Sequence, residues 1–107
     1  MKLKPQPFDA IKCGYKDIEM RLNDEKRQAI NIGDIIAFTN TESYEIINVI
    51  VLNKHCFESF TELYSAFDKA RLGYSKNEIA SPKDMEKYYF ADEILKFGVV
   101  GIEIQLA

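Results

Sequence analysis

Lys16, Glu19 and Arg21 are the residues in this chain whose types and spacing best suit chemistry on a polar ligand. An ammonium and a guanidinium suit phosphate or carbonyl oxygens. A carboxylate between them can accept from a base amine or take a proton. In an ideal strand Glu19 and Arg21 share a face, two residues apart, and Lys16 points to the other side. Convergence of all three therefore requires a bend or bulge after Gly14-Tyr15. Read as pattern alone, the same residues describe a solvated strand face with weak ion pairs. Asp24 and Arg27 fall together on a helical turn beside the strand end that carries Arg21, and Arg27 is a candidate for a second phosphate contact. An ordinary solvated charge run explains that pair as well.

The other candidates have stronger bland explanations. Thr39 and Asn40 follow a strand and read best as a polar turn. Tyr74, Tyr88 and Tyr89 could stack on a base, although aromatic side chains in a small domain mostly fill its core. Glu86, Asp92 and Glu93 are candidates for a further carboxylate, and no spacing singles one out. His55-Cys56 resembles a nucleophile and base, but adjacent strand residues face opposite ways, so a strand-end histidine and a small buried thiol are expected. There is no Gly-rich phosphate loop, no His-Glu-x-x-His and no Cys-x-x-Cys. Neither a metal nor a cofactor is expected.

Several elements must position these groups. Residues 2–5 read as a brief strand, and Pro7 as the first position of a helix that Gly14 closes. In Lys16–Leu22 the residues Ile18, Met20 and Leu22 alternate with Asp17, Glu19 and Arg21, as in a half-buried strand. A polar turn or single helical turn covers 23–30, and a strand follows over Ile35–Thr39. Tyr44–Leu52 is apolar on both faces, which predicts a central strand. Ser59-Phe60-Thr61-Glu62 matches a capping box ahead of Leu63, Tyr64 and Phe67 at helical spacing. Ser81-Pro82 opens one or two further helices running to Lys96, and Val99–Leu106 is the last strand. Short strands without strict βαβ alternation favour an α+β fold: a small mixed β-barrel of five to six strands with helices packed at its edges.

At 107 residues the chain is expected to form one domain over 1–107, and 47% apolar with 29% charged residues excludes general disorder. A net charge of −3 argues against coating DNA or an anionic membrane, so nucleic-acid contact must come from a local patch. Two distant cysteines, an N-terminus without an apolar run and no bilayer-length segment suggest a reduced, cytoplasmic setting.

The run Gly14-Tyr15-Lys16-Asp17-Ile18-Glu19-Met20-Arg21 resembles the signature of the ASCH family, of the PUA-like superfamily, roughly Gly-x-Lys-Thr-x-Glu-x-Arg. Pro5-x-Pro7-Phe8, the turn Asp24–Gln28, Ile32-Gly33-Asp34-x-Ile36-x-Phe38 and the terminal Phe97–Ile104 match it in order, so the resemblance spans nearly the whole chain. It looks like a small bacterial-type, single-domain member. The resemblance implies a PUA-like barrel with a cleft beside the Lys16/Glu19/Arg21 strand, and RNA or a modified nucleoside as partner. Lys16, Glu19, Arg21 and Arg27 would bind the ligand. One branch of the family hydrolyses the amide of N4-acetylcytidine with a lysine, a threonine and a glutamate, and another is linked to RNA cleavage. Lys16 matches that lysine, and Lys16 with Glu19 would form a catalytic pair. The threonine position is Glu19 here, and Asp17 replaces the general Thr, departures that set a threonine nucleophile apart from this chain. Three functions follow: an RNA- or nucleoside-binding domain, a small hydrolase, or a protein-interaction domain without a ligand.

Overall fold

The computed structural model describes residues 1–107. Its first helix, α1 (Pro5–Cys13), begins two residues before the expected Pro7, so both prolines lie in the first turn, where a missing N–H costs nothing. The strand before it, β1, shrinks to Lys2–Leu3. Phe8 and Ile11 plug the core, and Gly14 ends the helix at φ 93, its N–H bonded to Ile11 O at 3.0 Å. The chain then runs through β2 (Ile18–Leu22), the single-turn α2 (Glu25–Gln28), β3 (Ile35–Asn40) and β4 (Ile46–Phe57). It finishes with α3 (Phe60–Ala66), α4 (Lys83–Glu86), α5 (Ala91–Phe97) and β5 (Val99–Leu106).

The five strands form one sheet in the order β1-β3-β4-β5-β2, with β1 and β3 parallel and the other pairs antiparallel. The sheet curls until its two ends meet, and Arg21 on β2 donates from Nη2 to Lys2 O on β1 at 3.1 Å. This half-barrel with five helices is the expected α+β architecture, with five strands.

Two apolar clusters fill the two faces. The even residues of β5, Val100, Ile102 and Ile104, join Phe8, Ile36, Phe38, Val49 and Val51 inside the curl. Val99 joins Ile18, Met20, Phe60, Leu63 and Leu72 on the outer face beneath α3. Burying side chains of this size contributes about 1.5–3 kcal/mol each. Ser59 caps α3 by accepting from Glu62 N at 3.2 Å, as its sequence signature predicts. Ser81 Oγ accepts from Lys83 N at 3.3 Å at the start of α4.

The longest strand departs from expectation. It starts at Ile46, because Tyr44 sits in the tight turn at φ 62, and it continues past Leu52 to Phe57. A register shift between Val51 and Asn53 explains the extension. A bulge inverts the alternation, so Val49 and Val51 face the inner core while His55 and Phe57 afterwards face the outer one. The strand is central, but Ile46 and Leu52 remain exposed on its outer side. Cys56 is exposed rather than buried; the bulge turns it to the side of the sheet where Asn23 Nδ2 lies 3.8 Å from its sulfur. No helix is long and apolar enough to cross a membrane.

A charged cleft at the closing seam of the sheet

The bend that Lys16 needs is present. Gly14 adopts the left-handed conformation, and Lys16 precedes β2, its N–H bonded to Ala10 O at 3.2 Å. This turns the side chain inward, where it is 4% exposed. Its stem crosses Gly73, where a Cβ would stand 2.9 Å from Lys16 Cδ. The ammonium donates to Ile18 O at 2.8 Å and Leu72 O at 3.0 Å, and meets Glu19 Oε1 at 3.3 Å. Those three acceptors match its three protons. Burial lowers its pKa from the ordinary lysine value, against the opposing pull of Glu19.

Glu19 pairs with Ile102 in the ladder and therefore points into the curl, 4% exposed. Its other oxygen takes Arg21 Nε at 2.9 Å and Nη2 at 2.8 Å. Lys16, Glu19 and Arg21 thus converge, with the carboxylate as the hub between two cations. Each Glu19 oxygen already meets a cation, so proton transfer by Glu19, or an added bond to a ligand amine, would have to compete with Lys16 and Arg21. The strand face is not solvated either: the curl of the sheet encloses it.

The three residues line a cavity of about 510 Å³ between β1, β2 and the segment 72–89. Lys2, Lys4 and Lys87 add positive charge around it, and Glu78 and Asp84 are its further carboxylates. The candidates Glu86, Asp92 and Glu93 lie outside the lining. No sequence signal marked Glu78 or Asp84: Glu78 lies outside any helix or strand and is tied to Gln6, 72 residues away, and Asp84 sits on the single-turn α4, too short to show a facing. Glu78 accepts from Gln6 Nε2 at 3.2 Å and Ser75 N at 2.8 Å, and these bonds hold its carboxyl below the usual range. Asp84 accepts from Tyr74 OH at 2.7 Å.

The tyrosines divide by role. Tyr74 also meets Tyr64 OH at 2.7 Å, and burial with these bonds raises its phenol far above the ordinary value. Tyr89 stacks on Phe60 with centroids 5.9 Å apart. Tyr88 stands on the rim, 51% exposed, with the Lys4 and Lys87 ammoniums 5.2 and 5.3 Å from its ring centre.

Arg27 is not drawn into the lining; it pairs with Asp24 at 3.2 Å, and Asp24 caps α2 by accepting from Arg27 N at 3.1 Å. Asn40 is the turn residue expected, its Oδ1 accepting from Glu42 N at 2.9 Å and Ser43 N at 3.2 Å. His55 and Cys56 do not pair: His55 Nε2 meets Glu103 Oε1 at 2.8 Å, in a group completed by Arg71 and Asp17 on the outer face. No three His, Cys, Asp or Glu side chains gather as a metal-binding group.

Two solved structures resemble the chain along its full length. The crystal structure of the hypothetical protein PH0355 is 30% identical, covers 100% of both chains and superposes with a TM-score of 0.79. The solution structure of protein PF0455 from Pyrococcus furiosus is 29% identical, with 99% of this chain and 97% of that one covered and a TM-score of 0.68. No curated protein matches. The family model for the ASCH domain matches residues 1–105, and the chain belongs to that family.

Proposed function

We propose that this ASCH domain binds RNA or a nucleoside in the cleft beside Arg21. One observation carries the reading: in a chain of net charge −3, the cavity gathers Lys2, Lys4, Lys16, Arg21 and Lys87 against three carboxylates, with an exposed tyrosine on the rim. Lys2, Lys4 and Lys87 supply phosphate contacts, Tyr88 offers a face for a base, and Arg21 is aimed by Glu19. Lys16 serves as the anchor that ties Leu72, and with it the far wall, to β2. Fluorescence anisotropy with labelled single-stranded RNA hexamers tests this. Each phosphate contact on a single strand adds about −0.7 to the slope of log affinity against log salt. Replacing Lys4 and Lys87 by Ala should therefore flatten that slope by about 1.4 and weaken binding, while Lys12→Ala, on the exposed side of α1, should not. Absence of binding by the wild type, or indifference to the double replacement, overturns the proposal.

A second reading, hydrolysis of a nucleoside amide or of RNA, draws on the lowered proton affinity of Lys16. Against it stand the three acceptors around Nζ and the two occupied oxygens of Glu19, which must all be released before either group transfers a proton. Incubation with N4-acetylcytidine and with short RNAs, without deacetylation or cleavage, eliminates both activities. The charged lining also differs from the apolar, uncharged groove that a ligand-free interaction domain would carry.

A further inference from the structure

The floor of the cleft is a strand edge. β2 pairs only with β5, and main-chain bonding along an antiparallel strand alternates from one side to the other. Asp17 O accepts from Ile104 N at 2.9 Å, and Asn23 N donates to Gly98 O at 3.0 Å. The odd residues therefore turn their peptide groups toward β5. The even residues turn theirs away, as Ile18 does, with its N–H on Arg71 O at 3.0 Å and its C=O on Lys16 Nζ at 2.8 Å. Met20 is the next even residue, 5% exposed, and it lines the cavity. β1, across the seam, is laddered to β3. The N–H and C=O of Met20 thus point together away from β5, on the edge of β2 that no strand pairs, and neither enters a main-chain bond outside the ladders.

The neighbouring side chains are already committed to one another, Glu19 through both oxygens. The main chain of β2 then adds polar groups at the floor that these side chains do not take. We propose that the peptide groups of Met20 read the edge of an unsubstituted nucleobase. The N–H donates to a ring nitrogen or carbonyl oxygen, and the C=O accepts from the adjacent N–H of the same base. An extended peptide is the other ligand that uses a strand edge, but it needs a continuing ladder. Here Arg71 O and Lys16 Nζ already occupy Ile18, so the edge stops after one residue on that side. A base needs only one donor and one acceptor. An unpaired buried peptide group is costly, so filling this pair rewards the matching edge and penalises a blocked one.

This inference rests on the RNA-binding reading and is tested together with it. Homopolymeric RNA hexamers are titrated into 15N-labelled protein, followed by the tightest hexamer with methyl groups on its Watson–Crick edge: 3-methyluridine, 3-methylcytidine, 1-methyladenosine or 1-methylguanosine. The expected result is a downfield shift and slowed hydrogen exchange of the Met20 amide, with at least tenfold weaker binding of the methylated hexamer. Binding that moves the Arg21 Nε resonance while the Met20 amide stays still and methylation costs nothing overturns the inference alone. If no hexamer binds, the RNA-binding reading falls and takes the inference with it.

Discussion

Replacing Glu19 by glutamine removes the charge that two cations share while nearly preserving shape. An exposed ion pair contributes about 1 kcal/mol at most. The side chains of Lys16 and Glu19 are only 3% and 5% exposed, and removing one partner of a buried pair costs about 3–5 kcal/mol. Lys16 would keep two carbonyl acceptors, and Arg21 reaches solvent on one side. Those compensations place the loss near the lower end, about 3 kcal/mol, a large share of the roughly 5–15 kcal/mol typical of a whole domain. With a urea dependence of about 1.5 kcal/mol per molar, the unfolding midpoint should fall by about 2 M. Adding Lys16→Met removes the orphaned ammonium, so the double variant should regain much of the loss. A cost below about 1 kcal/mol for Glu19→Gln would refute the hub and return Glu19 to the ligand.

Two further changes probe the walls of the site. Gly73→Ala puts a Cβ at φ +103 and 2.9 Å from the stem of Lys16, whose far end is pinned and cannot yield; a loss of about 1–3 kcal/mol is expected in thermal melting, and an unchanged Tm would contradict the packing. Tyr74→Phe deletes the hydroxyl bonded to Asp84 and Tyr64, for about 1–2 kcal/mol at neutral pH. The native phenol holds its proton above the ordinary value of 10.0, whereas an unfolded tyrosine releases it near pH 10. Wild-type stability should therefore fall as pH climbs beyond 10, and Tyr74→Phe should fall less steeply. Lys16, lowered from 10.5, tilts both proteins the other way and cancels in the comparison. Parallel urea curves at pH 9 and 11 would contradict the raised phenol.

Alternation in Ile18–Leu22, the cap at Ser59 and the apolar Val99–Ile104 run are local patterns, and they specify β2, α3 and β5 from the sequence. The inward turn of Lys16 was legible as a requirement, through Gly14. The enclosure of Glu19 was not, because the acceptor that completes its partner's coordination, Leu72 O, lies 56 residues along the chain from Lys16. The strand beyond Leu52 was hidden by Asn53-Lys54-His55, polar residues that the bulge and pairing with β5 hold extended. Lys54 earns its place by donating to Ile30 O at 2.8 Å and Gln28 O at 3.3 Å, just past α2. Glu78 reaches the cavity from outside any helix or strand, and Asp84 from the single turn of α4, and neither context let a facing be read.

The guanidinium of Arg21 is fastened from two directions, to Glu19 on its own strand and to Lys2 O across the junction. A free arginine forfeits up to about 2 kcal/mol of rotamer freedom when a ligand immobilises it. Here folding has already exacted most of that loss. An incoming anion would meet a guanidinium already held in place, though with its Nε and Nη2 edge on Glu19 and Lys2, and a guest that drew Nη2 away from Lys2 would loosen the join between the outermost strands.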